Sequence, residues 1–368
     1  MTMAARNFFA WKLLMAAETQ DSRNQLRQKR RACRSSFNPL WDISEVEFRN
    51  RYRLSKEAFL FLCEELKHLT TLKKTLQISL QEKVLVALFF YATGSYQRPV
   101  GVAKSLCQKM CSVYIQEVTQ ALNHPAMLEK YISFPKTLAD RQAVSHKFFT
   151  KYGLPGVIGC IDGSHFKIFG PPSAEEHLYY CRKHYHSINV QMVCDSDCRI
   201  INVNAKFGGQ NHDAFIWENS NVNTYMQHLH NRGEIFWLLG DSGYPQRPWL
   251  MIPFLEVHPG SPEANYNQKH MRARVLIENT FGRLKNRWRC LCKDRVLHYK
   301  PEKCAQIIQA CCVLHNIALD YRVAEPHNYD FNVPPQPIEH LRETRISNEL
   351  IRGRAYRDQL VRKLQNSQ

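Results

Sequence analysis

The segment Ile235-Phe236-Trp237-Leu238-Leu239-Gly240-Asp241 constrains the fold of this chain more than any other stretch. Five consecutive apolar residues lead directly to Gly240 and Asp241, and the segment then breaks at Gly243 and Pro245. This pattern is typical of a strand that is buried on both faces and ends at a turn. Ligands and catalytic groups collect at the carboxyl ends of strands in open α/β sheets, so Asp241 is predicted to lie in a functional site.

Two further acids are candidates for the same site. Residues 157–161 form another apolar run, which leads to Asp162 and Gly163 in the same strand-then-turn pattern. Glu278 lies within residues 272–289, where apolar side chains recur at steps of four, three and four, namely Ile277, Phe281, Leu284 and Trp288. That periodicity predicts a helix with one buried stripe.

The Glu278 face of this predicted helix also carries bases. Arg274, Glu278, Lys285 and Arg289 follow the same helical rhythm beside the apolar stripe. Three cations around one acid are suited to holding phosphates beside a metal, and they are equally typical of a surface helix with ordinary ion pairs. On its own this face leaves both interpretations open.

The charge of the chain predicts a polyanionic partner. The 368 residues carry a formal net charge of +17, which indicates nucleic acid or an anionic membrane surface rather than a requirement of stability. No run of about 18 uncharged apolar residues occurs, so a membrane partner is not expected. Thirteen cysteines without regular spacing predict a reducing compartment.

Changes in composition and hydrophobic pattern along the chain divide it into four predicted parts. Residues 1–43 form a basic, flexible arm that is suited to nuclear import, and residues 44–145 form a helical N-terminal domain. Within that domain, short helices before and after residues 107–109 resemble a helix-turn-helix, which makes Lys109 a candidate DNA contact. Helices with this spacing are equally typical of a small helical bundle that serves only as scaffold. Residues 146–320 form the catalytic domain, and residues 321–368 form a Pro-containing, Arg-rich tail that ends in a mobile helix.

The catalytic part predicts a ribonuclease-H-like fold. Strands over 187–194 and 199–207 are separated by a short polar turn, so they form a hairpin beside the first strand. Ribonuclease-H-like nucleases have the same arrangement. It consists of a hairpin beside a strand with an acid, a later parallel strand with an acid, and a helix with an acid, here Glu278. The fold class is therefore α/β, with a mixed sheet preceded by a helical domain.

The three acids also suit phosphodiester chemistry. Hydrolysis or transfer of a phosphodiester requires charge neutralisation on the attacking and leaving oxygens, which two divalent ions about 3.5 to 4 Å apart provide. Mg²⁺ and Mn²⁺ prefer carboxylate oxygens, so three or four acids suffice to hold them.

Three sequence blocks in this order resemble the DDE domain of Harbinger-type transposases. They are Gly159-Cys160-Ile161-Asp162-Gly163-Ser164-His165, Gly240-Asp241-Ser242-Gly243-Tyr244-Pro245 and Ile277-Glu278-Asn279-Thr280-Phe281-Gly282-Arg283-Leu284-Lys285. The similarity is close to the Harbinger transposase-derived nucleases of animals and covers roughly residues 54–319. It implies a metal-dependent DNA endonuclease in which Asp162, Asp241 and Glu278 are catalytic and hold Mg²⁺ or Mn²⁺, two ions in all.

The resemblance implies further features. Residues 208–213 resemble the block with the family's additional acid, so Asp213 is a fourth candidate metal ligand. Family members work with a separate Myb-like protein that supplies DNA binding and nuclear entry, which predicts such a partner here. Nuclear localisation follows, with a cytoplasmic pool and a homo-oligomer left open. One departure, Ser164 where Thr is common, keeps the hydroxyl group.

Three other interpretations fit parts of the sequence. Gly240-Asp241-Ser242-Gly243 is similar to a loop that presents a serine nucleophile, but a His base and an orienting acid are also needed. Cys181, His184 and His186, or Cys304, Cys311 and His315, are conceivable zinc ligands. The main alternative is a domesticated DNA- or partner-binding protein that keeps the nuclease fold but no longer cleaves.

Overall fold

The computed structural model describes residues 20–172, 174–326 and 347–366, and a five-stranded mixed sheet lies at its centre. The strands are β1 Val157–Lys167, β2 Ser187–Cys194, β3 Ile200–Gly208, β4 Trp237–Leu239 and β5 Leu250–Met251. Their spatial order is β3-β2-β1-β4-β5. β1, β2 and β3 are antiparallel neighbours, whereas β4 and β5 run parallel to β1.

β4 is shorter than the apolar run that predicts it. Ile235 begins that run, yet its side chain is 52% exposed and the strand starts two residues later. Pairing explains the difference, because the strand begins at Trp237, the first residue that pairs with β1, and β5 flanks its last two residues. Its three residues are buried, as expected for an internal strand, and Asp241 follows two residues after its end.

Helices precede, connect and follow the strands. Before the sheet come α1 (described from residue 20 to residue 35), α2 Pro39–Asp42, α3 Glu45–Tyr52, α4 Lys56–Leu69, α5 Leu80–Thr93, α6 Gln97–Ala103, α7 Gln108–Leu122, α8 Pro125–Tyr131 and α9 Leu138–Tyr152. Within and after it come α10 Glu176–Tyr179, α11 Asp213–Glu218, α12 Asn221–Asn231, α13 Pro262–Arg287, α14 Pro301–Asp320 and α15 Asn348–Asn366.

Local sequence sets several helix ends. The side chains of Ser44, Ser55 and Ser79 each accept a hydrogen bond from the backbone N–H three residues further along, and Ser79 forms a complete capping box with Glu82. α5 ends at Gly94, whose φ of 62° is the left-handed conformation that glycine adopts without strain.

Two hydrophobic clusters cover the two faces of the sheet. One runs continuously from α2 to α15 and includes the helices before β1 together with α13 and α14. The other packs α11 and α12 against the opposite face. The helices that precede β1 and the catalytic sheet therefore share a continuous core.

The two ends of the described chain are both packed against this body. In α1, which lies within the stretch predicted to be a flexible arm, Arg34 donates to the Ser105 carbonyl at 2.9 Å. α15, expected to be mobile, buries Leu350, Leu360, Val361 and Leu364. The Arg357 guanidinium of α15 lies 3.7 Å from the centre of the Phe254 ring. Pro334 and Pro335 of the predicted tail lie outside the described residues.

Two further observations concern cysteines and membranes. All thirteen cysteines lie in the described ranges and form no disulfide, and ten of them are buried. None of the helices in the described ranges is long and apolar enough to cross a bilayer.

Candidate active site

Asp162 lies in the middle of β1, where the strand changes its pairing. Residues up to Cys160 pair with β4, whereas Asp162 faces Met192 of β2 and the strand continues to Lys167. The sequence predicts a strand end at this position, but the pairing with β2 extends it. The Asp162 side chain is 14% exposed, and its Oδ1 accepts a hydrogen bond from the Gly163 N–H at 2.9 Å.

Asp241 lies in the turn after β4, next to β1. Its Oδ1 accepts a hydrogen bond from the Gly243 N–H at 3.0 Å, which fixes the carboxylate in the turn. Since β1 and β4 are neighbouring parallel strands, the backbone brings Asp162 and Asp241 to adjacent positions of one sheet.

Asp213 joins these two acids from the first turn of α11. Its Oδ1 accepts a hydrogen bond from Asn189 Nδ2 at 2.8 Å. The carboxylate lies directly over Gly163, because a Cβ atom added there would be 2.0 Å from Asp213 Oδ1. A side chain at residue 163 would therefore push Asp213 away from the other acids.

Glu278 and Arg274 come from α13, one helical turn apart. Arg274 Nη2 lies 3.1 Å from Asp162 Oδ2 and 3.0 Å from Glu278 Oε1, so one guanidinium bridges the strand and the helix. Glu278 is the more exposed of the two acids, with 48% of its side chain accessible. Arg274 itself is only 14% exposed.

The electrostatics of Asp162 reflect both its burial and its charged neighbours. Burial, with smaller contributions from the negative charges of Asp241 and Asp213, raises the pKa of Asp162 to about 7 against the lowering effect of Arg274. Arg274 feels the opposite effect, because Asp162, Asp241 and Glu278 raise its pKa against its burial. One cation thus lies among more carboxylates than it can neutralise.

The donor chemistry of this cluster fits a hard divalent cation, although the side chains do not converge on one point. Carboxylate oxygens are the ligands that Mg²⁺ and Mn²⁺ prefer. In the described ranges, no three His, Cys, Asp or Glu side chains are close enough together to hold a metal ion as they stand. Arg274 occupies the space between Asp162 and Glu278.

The predicted phosphate-binding bases lie in different surroundings. Lys285 Nζ donates to Ser164 Oγ at 2.7 Å and to the His165 carbonyl at 3.2 Å, and burial lowers its pKa to about 8. Arg289 is exposed in the 3₁₀ turn after α13. Lys109 is exposed in the first turn of α7. Arg274 and Lys285 therefore lie along β1, whereas Arg289 and Lys109 lie away from β1 and β4.

Sequence reasoning missed the residues that position the acids. Asn189, only 2% exposed, donates to both Asp213 and the Asn211 carbonyl. A polar amide between apolar residues of a predicted strand is a recognisable signal, because a buried amide needs partners. The packing of Asp213 on Gly163 has no signal in the sequence, since 50 residues separate the two.

The alternative sites do not assemble. Ser242 is 2% exposed, which makes it a poor candidate for a nucleophile. His315 Nε2 is 3.0 Å from the Cys198 carbonyl oxygen, and His186 Nε2 is 3.0 Å from Glu176 Oε1, so both histidines make structural contacts. Neither proposed zinc group is found among the described residues.

Comparisons with known proteins find related nucleases. A family described as "DDE superfamily endonuclease" matches residues 161–316, a range that contains all four acids. The chain is 34% identical to the Bos taurus protein named "Putative nuclease HARBI1" over 84% of this chain and 89% of that protein. It is 36% identical to the Homo sapiens protein of the same name over 75% of this chain and 78% of that protein.

More distant similarity extends to plants. The Arabidopsis thaliana protein named "Antagonist of like heterochromatin protein 1" is 28% identical over 75% of this chain and 74% of that protein. No solved structure matches the chain significantly. On the extent of these matches, the chain belongs to the family of Harbinger transposase-derived nucleases, and its catalytic part is a DDE-superfamily endonuclease domain.

Proposed function

We propose that this protein is a metal-dependent DNA endonuclease of the DDE type. The observation that carries the proposal is the gathering of Asp162, Asp213, Asp241 and Glu278 around Arg274. These acids come from two neighbouring strands and two helices that are far apart in the sequence. A fold that crowds carboxylates against their mutual repulsion needs a compensating cation, and a single arginine supplies only one charge.

Asp162, Asp213, Asp241 and Glu278 are the residues that would hold Mg²⁺ or Mn²⁺, with two ions as the expected number. Bound divalent ions supply charge neutralisation on the attacking and leaving oxygens of a phosphodiester and lower the pKa of a water nucleophile. The backbone N–H groups of Gly163 and Gly243 orient Asp162 and Asp241, and Asn189 orients Asp213. These supports keep the oxygens in place before substrate arrives.

The remaining parts of the chain have roles that follow from the same proposal. The antiparallel hairpin next to parallel strands supports a ribonuclease-H-like sheet. α6 and α7 form a helix-turn-helix in which Lys109 contacts DNA, together with Arg274, Lys285 and Arg289. DNA is the substrate, and a Myb-like partner and nuclear localisation complete the proposal.

Plasmid cleavage tests this function. We expect the purified protein with Mg²⁺ or Mn²⁺ to nick or linearise supercoiled DNA, and Asp241→Asn to abolish cleavage. Affinity for DNA should stay the same or increase, because the substitution removes a negative charge near phosphate. Asp197→Asn is the matched control, since Asp197 lies in the β2–β3 turn and pairs with Lys147 on the surface. Cleavage by Asp241→Asn equal to that of the parent protein would show that the acids are wrongly assigned.

A second function is favoured by one observation. Arg274 hydrogen-bonds to both Asp162 and Glu278, so these two acids already have a structural role that does not depend on cleavage. A domesticated protein that binds DNA or a protein partner without cleaving would keep this arrangement. One plant relative is named as an antagonist of like heterochromatin protein 1. Absence of cleavage, with Mn²⁺ binding measured directly and the Myb-like partner added, would favour this function.

A further inference from the structure

Three aromatic rings form an exposed group at the junction between the N-terminal helices and the sheet. The Tyr96 and His298 ring centres are 5.2 Å apart, and His298 stacks on Phe169 at 5.3 Å with an interplanar angle of 29°. Tyr96 is 65% exposed and Phe169 is 62% exposed. We refer to Tyr96, Phe169 and His298 as the aromatic platform.

The backbone beneath the platform is firmly held. The Phe169 N–H donates to the Leu297 carbonyl at 3.0 Å, and the Leu297 N–H donates to the Lys167 carbonyl at 3.1 Å. Ile168 and Leu297, which pair between the rings, are 3% and 4% exposed. The apolar residues that this contact needs for stability are therefore buried, and the platform rings add little to the core. Their exposure on a fixed backbone needs another explanation.

The strand that carries Asp162 leads to the platform. Side chains alternate between the two faces of a strand, so His165 and Lys167 follow Gly163 on one face of β1, and Phe169 comes two residues after the end of the strand. Gly163 is the residue covered by the Asp213 carboxylate, whereas Asp162 faces the other side of the sheet. At about 3.3 Å per residue, the six residues from Gly163 to Phe169 span roughly 20 Å. This path thus runs from Asp213, the acid that covers Gly163, to the aromatic platform.

Basic side chains border this path. Lys167 Nζ lies 4.9 Å from the centre of the Tyr185 ring, next to the exposed Lys183. Along the chain near His298 and Tyr96, exposed charges are mostly positive: Arg98, Lys293, Arg295 and Lys300, against Asp294 and Glu302. Lysines and arginines with exposed aromatic rings between them are the combination that holds a nucleic-acid strand by its phosphates and its bases.

We propose that the aromatic platform stacks unpaired bases of the DNA strand that extends from the acidic site. The proposal rests on the function proposed above and adds a substrate feature, a single-stranded segment beside the cleaved bond. Bases within a duplex are already stacked on each other and present only their edges, so exposed aromatic rings are suited to stacking on unpaired bases.

Binding of oligonucleotides tests the proposal without cleavage. Fluorescence anisotropy would compare a 5′-labelled single strand with a duplex of the same sequence, in the Asp241→Asn protein so that the DNA stays intact. We expect Phe169→Ala and Tyr96→Ala each to weaken single-strand binding about ten-fold and to change duplex binding by less than about two-fold. Trp41→Ala is the control, because Trp41 is 81% exposed and lies outside the platform.

A second readout reports stacking directly. 2-Aminopurine placed along the single strand should be quenched when it contacts the platform, and Phe169→Ala should remove this quenching. Thermal denaturation should be unchanged in all variants, because the substituted rings are exposed.

The possible results separate the two proposals. Unchanged single-strand affinity in both platform variants would overturn the proposal, and so would an equal loss of affinity in Trp41→Ala. Loss of binding to a protein partner while single-strand affinity stays unchanged would also overturn it. Selective loss of single-strand binding would support it even if the parent protein fails to cut plasmid, a failure that counts only against the endonuclease proposal.

Discussion

At the scale of single residues, Arg274 has the most telling position in the site. Its guanidinium contacts Asp162 and Glu278 at 3.1 Å and 3.0 Å. Under the proposed function, the same two carboxylates would hold a divalent ion. Arg274 and the ion would then compete for them.

This competition predicts the effect of Arg274→Gln. The uncharged amide no longer neutralises Asp162 and Glu278, so we expect the affinity for Mn²⁺ to rise by about ten-fold, equivalent to about 1.4 kcal/mol. Isothermal titration calorimetry of the protein without DNA measures this directly. Cleavage should fall at the same time if Arg274 also holds the DNA phosphate.

The neighbouring Arg272 offers a matched control for that experiment. It is exposed on the same helix, and Arg272→Gln removes an equal charge without touching the acids. Mn²⁺ affinity that is unchanged or lower in Arg274→Gln, or raised equally in both variants, would contradict competition at the site.

Residue by residue, the sequence predicts the acids better than their supports. Asp241 is predictable because an apolar run and a turn define its position, and Glu278 because helical periodicity defines its face. The contact of Asp213 with Gly163 and the bridge from Arg274 to Asp162 depend on how α11 and α13 pack on the sheet. Such packing joins residues more than 40 positions apart, which local patterns do not encode.

At the scale of elements, α13 shows how well periodicity works. The predicted stripe of Ile277, Phe281, Leu284 and Trp288 is buried, with exposures of 0 to 6%. Sequence patterns are less informative for α15, because its Arg-rich sequence predicts a mobile tail. Its position is set by tertiary contacts, which include Arg357 on the Phe254 ring and Gly353 against the backbone of Arg247.

The contact of Gly353 gives α15 a test with a distinctive sign. Gly→Ala in a helix usually stabilises a protein by about 0.5–1 kcal/mol. Here a Cβ would lie 2.8 to 3.1 Å from Arg247 backbone atoms, so the helix must shift. We therefore expect Gly353→Ala to lower the free energy of unfolding by about 1–3 kcal/mol, measured by urea denaturation. A stabilised variant would mean that α15 is not docked as described.

At the scale of the whole molecule, two buried histidines connect helices to the sheet and to the turn between β2 and β3. His270 Nε2 of α13 is 3.2 Å from the Met251 carbonyl oxygen of β5, and His315 of α14 makes the equivalent contact with the Cys198 carbonyl. A carbonyl accepts the hydrogen bond from the neutral ring without any need for charge. Burial lowers the pKa of both histidines to about 4.

These pKa values predict that acid weakens the whole fold. The unfolded chain binds a proton at each histidine near pH 6.5, whereas the folded protein does so only near pH 4, so the stabilisation is complete above pH 6.5 and is lost as the pH falls toward 4. Between pH 7 and pH 5, each histidine should cost roughly 2 kcal/mol of unfolding free energy. Urea denaturation at the two pH values measures the loss.

His315→Gln isolates one histidine from the other groups that titrate in this range. Glutamine can still donate to the Cys198 carbonyl but takes up no proton, so the loss between pH 7 and pH 5 should shrink by roughly 2 kcal/mol. The comparison is needed because Asp162 changes stability with pH in the opposite direction. Its pKa is raised to about 7 in the folded protein, so proton binding by Asp162 stabilises the fold at low pH, and this stabilisation is lost as the pH rises. An equal loss in parent and variant would mean that His315 is already protonated in the folded protein or remains accessible to water.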